Sequence, residues 1–366
     1  MRTIRCALFA LIFAALFSCS PLAVDVLSEE AEILQVRSLQ EALDGDVADQ
    51  MAGLSPEKPS DFGKELWRMV TSMLSGLQTP LRSALTLGAK LMAAVILCAA
   101  AQGMDKGFSE NAVRWAGAAA LTAVFIRAVT GLSGSAQETV DRIADFNTLL
   151  LPVLSGAMAA SGAAAASASL YAASSLVFSV LSAIIRRFLL PMVNVYILLS
   201  AAECAAGSDR FGALRELGGW SISTALKAVV AAFTGYLTLT GLLSGKADTM
   251  ALKAAKAVSG AVPVVGSMLS DASEAILAGA GVLRASAGIY GMLAIFAIGL
   301  APLGRMAVLY LVMRLITAVS GTVGNEAHTK LLGNLSSASG YLLGMTAAVL
   351  FMALVSVCCF LKAVTY

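Results

Sequence analysis

Apolar residues run almost without interruption from residue 81 to residue 361. A helix that crosses a bilayer needs about 20 such residues in a row. Short polar breaks delimit several stretches of this length, and we expect each to cross once: 84–103, 112–132, 188–206, 222–243, 303–320 and 341–361. The pattern therefore predicts an all-α fold, a polytopic transmembrane helical bundle that occupies residues 81–366.

Residues 24–80 follow a different pattern from the rest of the chain. Acidic residues far outnumber basic ones between Val24 and Ser60, and leucine and isoleucine recur at roughly helical spacing. We expect an acidic helical segment there, then an amphipathic helix over 61–77 that lies at the membrane interface.

The first 23 residues have the pattern of a signal sequence. Arg2 and Arg5 precede an apolar core, which ends in the small residues Ser18, Cys19 and Ser20. Cleavage at a small-x-small site, acylation of Cys19 and an uncleaved anchor are all compatible with this pattern. Each of the three places residues 24–80 on the extracytoplasmic side.

Two stretches, 149–187 and 261–301, are too long for one crossing and too rich in Gly and Ser for two comfortable ones. They lie in similar surroundings, because residues 130–156 resemble residues 240–267. This similarity predicts internal repeats of the order A-B-A-B-A. Hairpins (A) and linking segments (B) would alternate along the chain: 84–132, 133–187, 188–243, 245–301 and 303–361.

Charge decides how often each linking segment crosses. One crossing per segment puts Arg186, Arg187 and the lysines of the second segment in the cytoplasm, as the positive-inside tendency favours. About eight spans result, and the middle hairpin is inverted relative to its neighbours. The excess length would form two re-entrant or broken elements at 152–166 and 263–281. The alternative is a pair of ordinary short helices packed through Ala and Gly.

Backbone of this broken kind is tolerated at membrane depth only where it is buried in protein or faces water. Broken segments at matching positions of two repeats also point to a binding or conduction site. The candidate path-lining residues are Pro152, Gly156, Pro263 and Gly266.

Charged side chains inside a membrane are costly and are often retained for function. Three of them lie within predicted spans: Arg127, Glu203 and Arg314. The arginines have a structural alternative, since they can snorkel to the interface or pair with a neighbour. Glu203 lies near the end of a span, where water is close.

Composition excludes several classes of function. The chain is 58% hydrophobic and 13% charged, with a net charge of +2, whereas soluble domains carry about 25% charged residues. A charge so near zero gives no reason to expect a nucleic-acid partner. The single histidine and the absence of CxxC pairs argue against a metal site. No phosphate loop or catalytic motif occurs, so we expect neither an enzyme nor a cofactor.

Several motifs together resemble the stage III sporulation protein AE family of endospore-forming bacteria. They are Leu149–Val153, Arg187–Pro191, Val258–Gly266 and Met268–Ala272. The resemblance covers roughly residues 80–366, and the stretch around Pro263 is its most specific part.

The resemblance implies an integral protein of the mother-cell membrane that surrounds the forespore. Its partners would be the lipid bilayer, other membrane proteins of the same stage III complex and a forespore-side partner. This channel or secretion-like complex would support sporulation and late forespore gene expression. The family implies no catalytic residues. A secondary transporter of a small solute and a passive membrane scaffold are the alternatives.

Overall fold

The computed structural model describes residues 38–43, 45–56, 61–104, 110–161, 164–206, 211–233, 235, 265–323 and 326–362. These residues are helical apart from short turns, and no strand occurs among them. The all-α fold is confirmed. The predicted signal sequence, residues 1–23, and most of the linking segment before residue 265 lie outside the described residues.

The helices are numbered here in chain order. They are α1 (Ser38–Glu41), α2 (Gly45–Gln50), α3 (Phe62–Gly76), α4 (Gln78–Met104), α5 (Glu110–Ala160), α6 (Ala164–Ile184), α7 (Leu190–Ala206), α8 (212–233), α9 (Val265–Val323) and α10 (Glu326–Lys362). A π-helical turn, Ile185–Leu189, joins α6 to α7. The turn lies directly before Pro191, which has no N–H to donate to a carbonyl one helical turn earlier.

Among the described residues, five stretches of helix are long and apolar enough to cross a membrane. They are Phe62–Ala101, Trp115–Ala160, Ser167–Ala206, Val282–Thr322 and Glu326–Cys358. Five of the predicted spans overlap them. The remaining one, 222–243, begins inside α8 and continues beyond the described residues.

The helices are longer than single spans. Trp115–Ala160 has 46 residues and extends over about 69 Å, more than twice the hydrocarbon thickness of a bilayer. The stretch 149–187 therefore does not form an element of its own. Its first part continues α5, and its second part forms α6 and the π-helical turn.

Small residues let the longest helices approach closely, as is common in membrane bundles. Helices α9 and α10 are antiparallel, because Gly340 faces Tyr310 and Gly299 faces Leu350. Helix α5 packs against both of them. The core of the bundle lies among these three helices and contains fully buried side chains such as Leu150, Tyr290 and Leu335.

Helices α5 and α6 form an antiparallel hairpin. Near its tip, the Ser155 hydroxyl donates to the carbonyl oxygen of Ser167 at 3.4 Å. At its base, Arg186 forms an ion pair with Asp141. A segment that crossed the bilayer once would carry these two residues about 30 Å apart. The contact therefore argues against one crossing of the first linking segment, and the number of its crossings and the inversion of the middle hairpin stay predictions.

The two predicted breaks have different outcomes. Pro152 lies inside the continuous helix α5, and the chain leaves that helix only after Ala160. Pro263 lies outside the described residues, whereas Gly266 lies within α9. The internal repeats and the re-entrant elements stay predictions.

Candidate functional site

The three charged residues singled out from the sequence lie in different environments. Arg127 on α5 and Arg314 on α9 are exposed on the surface of the chain. The Arg314 Nε donates to the hydroxyl of Tyr310 at 3.2 Å, and the guanidinium carbon lies 5.7 Å from the centre of that ring. Arg314 is therefore held by its own helix, which favours its structural interpretation. Glu203 is buried.

Glu203 is the centre of a buried ion cluster. Its side chain, on α7, is 6% exposed. One carboxylate oxygen, Oε2, accepts a hydrogen bond from Arg215 Nε at 2.6 Å, and the other, Oε1, pairs with Lys330 Nζ at 2.7 Å. Because Arg215 lies on α8 and Lys330 on α10, one carboxylate connects three helices. We refer to Glu203, Arg215 and Lys330 as the ion cluster.

Aromatic residues cover one side of the ion cluster. Tyr196 lies two helical turns before Glu203 on α7, and its ring meets that of Tyr341 edge to face at 5.4 Å. Gly219 on α8 lies against both rings. A Cβ at this position would lie 2.8 Å from the Tyr341 hydroxyl and 3.2 Å from the Tyr196 ring. The absence of a side chain at Gly219 therefore lets α8 come close enough for Arg215 to reach Glu203.

The charges of the ion cluster are unevenly exposed to water. The Arg215 side chain is 11% exposed and the Lys330 side chain 46% exposed. Arg215 also extends its Nη2 towards the exposed carboxylate of Glu216 at 3.4 Å. A buried carboxylate is tolerated when it is paired and hydrogen-bonded, and removing one partner leaves an uncompensated charge. The cluster can therefore hold three helices together. If one of its ion pairs is broken, the uncompensated charge favours separation of these helices.

Two of the candidate path-lining residues, Pro152 and Gly156, lie elsewhere. Pro152 is exposed and Gly156 half-buried, beside the turn between α5 and α6. Ser167 contacts this region, and it lies 36 residues before Glu203 on the rod formed by α6, the π-helical turn and α7. That separation corresponds to about 54 Å of helix. The structure does not bring these residues to the ion cluster.

Two members of the ion cluster, Arg215 and Lys330, were not predicted as site residues. Arg215 follows Glu203 after a short polar connection, so a helical hairpin at that point would have suggested the pair. Lys330 is more than a hundred residues away, and no local signal connects it to Glu203. Within the described part of the chain, no three His, Cys, Asp or Glu side chains gather as a metal site requires.

Long apolar helices that pack through small residues around a buried ion cluster define the class of this chain. It is an integral membrane protein of the polytopic α-helical type. The stage III sporulation protein AE family matches residues 58–363, and the chain belongs to that family. The match begins earlier than the resemblance read from the sequence, so it includes the amphipathic helix α3. Membership indicates a role in sporulation.

A curated relative is stage III sporulation protein AE of Bacillus subtilis (strain 168), which is 22% identical over 218 residues. The matched region covers 59% of this chain and 55% of the relative. The chain thus spans about half the length of the curated relative that it matches. No solved structure matches this chain.

Proposed function

We propose that the chain is an integral membrane component of a channel or secretion-like complex between mother cell and forespore. The complex is required for sporulation and for late forespore gene expression. The observation that carries this proposal is the family match over residues 58–363, which includes nearly all of the apolar helices. In this proposal the protein lies in the mother-cell membrane around the forespore, and residues 24–80 face the extracytoplasmic space.

The partners in this proposal are the other membrane proteins of the same stage III complex and a forespore-side protein. The acidic segment over residues 24–80 is the part of the chain that would meet extracytoplasmic partners. The described part of this segment packs on the bundle: Leu39, Val47 and Met69 are buried. Three acids of its described part, Glu41, Asp46 and Asp49, are exposed and so can meet a partner.

The ion cluster has a defined role in this proposal. It holds α8 against α7 and α10, and it keeps the membrane part of the protein in the arrangement that its partners recognise. Intramembrane charges are rare and are usually retained for function. The burial of Glu203 between two cations on different helices supports this role.

Deletion and complementation in the native host test the proposal. We expect the deletion strain to lose heat-resistant spores and the expression of a late forespore reporter, and the intact gene to restore both. The Glu203→Gln variant should restore neither, because two cations then lose their carboxylate. Glu216→Gln, which changes an exposed neighbour of the cluster, is the matched control and should restore both. A deletion strain that sporulates normally would end this proposal.

A secondary transporter is the second candidate, because a buried carboxylate between two cations is also a group that transporters use. In that case the purified protein in liposomes would take up a small solute. Uptake would be abolished by Glu203→Ala, and the Arg314→Ala variant would show whether this exposed arginine also takes part. A passive scaffold predicts no uptake, and no labelling by water-soluble thiol reagents of cysteines placed at Ser155 or Gly156.

A further inference from the structure

A cavity of about 800 Å³ lies where α3, α4 and α9 meet. This volume is within the range of small-molecule sites, about 300–1,000 Å³. Five polar side chains line its wall on α2, α3, α4 and α9: Gln50, Ser72, Thr79, Ser83 and Arg305. Leu87 continues the wall eight residues beyond Thr79, which is about 12 Å farther along α4. The cavity is therefore polar at one end and apolar towards the other.

The junction of α3 with α4 has the features of a membrane–water boundary. Helix α3 has Lys64 and Arg68 on its exposed surface, and its Trp67 side chain is 69% exposed. Tryptophan is enriched at bilayer interfaces. Helix α4 then continues as an apolar helix of membrane-spanning length. These features favour the depth of lipid head groups for the polar end of the cavity and the depth of acyl chains for Leu87.

Arg305 gives the cavity its charge. It is the cationic side chain of the wall, and the wall of this cavity contains no carboxylate. A guanidinium in such a setting favours phosphate, which it binds with charge-assisted hydrogen bonds. The neighbouring hydroxyls of Ser72 and Thr79 suit a phosphate ester or a glycerol group.

The packing of α3 on α9 sets the backbone position next to Arg305, whose side chain is exposed. The preceding residue, Gly304, faces α3 so closely that a Cβ there would lie 2.5 Å from Met73 Cε and 3.0 Å from Leu77 Cδ2. The cavity wall beside Arg305 is therefore formed by direct contact of the two helices. It is a part of the tertiary fold and does not depend on a loop.

We propose that this cavity binds one anionic phospholipid. The phosphate contacts Arg305, the head group contacts Ser72 and Thr79, and an acyl chain lies along Leu87 and Leu309. Basic pockets between membrane helices bind anionic head groups in this way. The site lies apart from the ion cluster and goes beyond the proposed function, since a bound lipid requires neither a channel nor sporulation.

Lipid retention by the purified full-length chain tests the proposal. The protein is delipidated in detergent, then mixed with phosphatidylglycerol or phosphatidylcholine, and the bound lipid is counted by native mass spectrometry. We expect one phosphatidylglycerol per chain and weak retention of phosphatidylcholine. Arg305→Gln should weaken phosphatidylglycerol binding about tenfold or more, which is what the loss of a charge-assisted contact produces. Ala301→Trp, which fills the cavity from α9, should have a similar effect.

Arg82→Gln is the matched control. Arg82 is an exposed arginine next to Ser83, at the depth of the cavity, but it is not part of the wall. It should keep wild-type affinity, and all variants should keep the wild-type melting temperature. If Arg82→Gln and Arg305→Gln lowered the affinity for phosphatidylglycerol equally, general surface charge would explain the effect and the proposal would be overturned. If inorganic phosphate displaced phosphatidylglycerol at equal concentration, the cavity would be an anion site and the assignment to a phospholipid would be overturned. Equal retention of both lipids would overturn it as well.

Discussion

Two ion pairs each join separate helical segments of this chain, and their surroundings differ. Glu203 and Arg215 have side chains 6% and 11% exposed, whereas those of Asp141 and Arg186 are 37% and 35% exposed. Both pairs join different helices, so their geometry alone does not distinguish them. Their exposure to water distinguishes them. In a buried pair each charge has lost its hydration and is compensated only by the other charge, whereas in an exposed pair water still solvates both charges.

The two pairs also lie at opposite ends of the same helix. Arg186 and Glu203 are 17 residues apart on the rod formed by the π-helical turn and α7, or about 26 Å along the helix. This separation is close to the hydrocarbon thickness of a bilayer, about 30 Å. One apolar helical segment therefore has a solvated ion pair at one end and a buried ion pair at the other.

The largest effect that we expect concerns the sides of the membrane. Cysteines introduced at Glu138 and Arg187 in a cysteine-free chain should react with an impermeant thiol reagent from one face. A cysteine at the exposed Glu216 should react from the opposite face only. The reason is that Asp141 and Arg186 are in contact, and α7 separates Arg187 from the ion cluster. Labelling of positions 138 and 187 from opposite faces would contradict the hairpin of α5 and α6.

The next largest effect is the loss of the buried carboxylate. Glu203→Gln should lower the free energy of unfolding by about 3–5 kcal/mol, because Arg215 stays buried without its partner. Unfolding in mixed micelles measures this change. Glu216→Gln, on an exposed neighbour, should change the free energy by less than about 0.5 kcal/mol. Similar losses for the two variants would remove the distinction between the buried and the exposed carboxylate.

Removing both members of the buried pair should cost less than removing the carboxylate. Glu203→Leu combined with Arg215→Met leaves no buried charge between α7 and α8, and Lys330 is exposed enough to turn into water. The double variant should be more stable than Glu203→Leu alone by about 1 kcal/mol or more. A double-mutant cycle in the same micelles measures the coupling. Strictly additive losses would mean that the two side chains do not interact.

Lys330→Gln should have a smaller effect than either change at the buried pair. Its side chain is 46% exposed, so its ion pair with Glu203 is partly solvated and should contribute about 1 kcal/mol at most. The loss should shrink as salt is added, because exposed charges are screened. A salt-independent loss as large as that of Glu203→Gln would show that Lys330 shares the buried environment.

The smallest effect should come from the exposed pair. Arg186→Gln should lower the free energy of unfolding by about 0.2–1 kcal/mol. Arg187→Gln, on the exposed neighbouring residue, is the control and should change it less. A loss above that range at Arg186, measured in the same micelles, would mean that this contact is desolvated in the membrane.

Features that depend only on neighbouring residues could be predicted from the sequence. The long apolar runs predicted helices of membrane-spanning length, and the amphipathic pattern over 61–77 predicted α3. Glu203 was recognised because a charge within an apolar run is costly wherever that run is buried. The same reasoning selected Arg127 and Arg314, which the structure leaves on the surface of the chain. A charge within an apolar run marks an unusual residue, but it does not show whether that residue is buried in an ion pair or exposed on the surface.

What only the tertiary structure decided was which segments meet. One crossing was predicted for the linking segment 133–187, with two as the alternative, and only the structure shows that Asp141 and Arg186 of this segment are in contact. The partners of Glu203 were equally hidden, since Arg215 and Lys330 come from two other helices. Hydrophobic length and periodicity are properties of a few consecutive residues and can be read along the chain. The pairing of charges depends on how distant helices pack, and a single sequence contains no direct record of that packing.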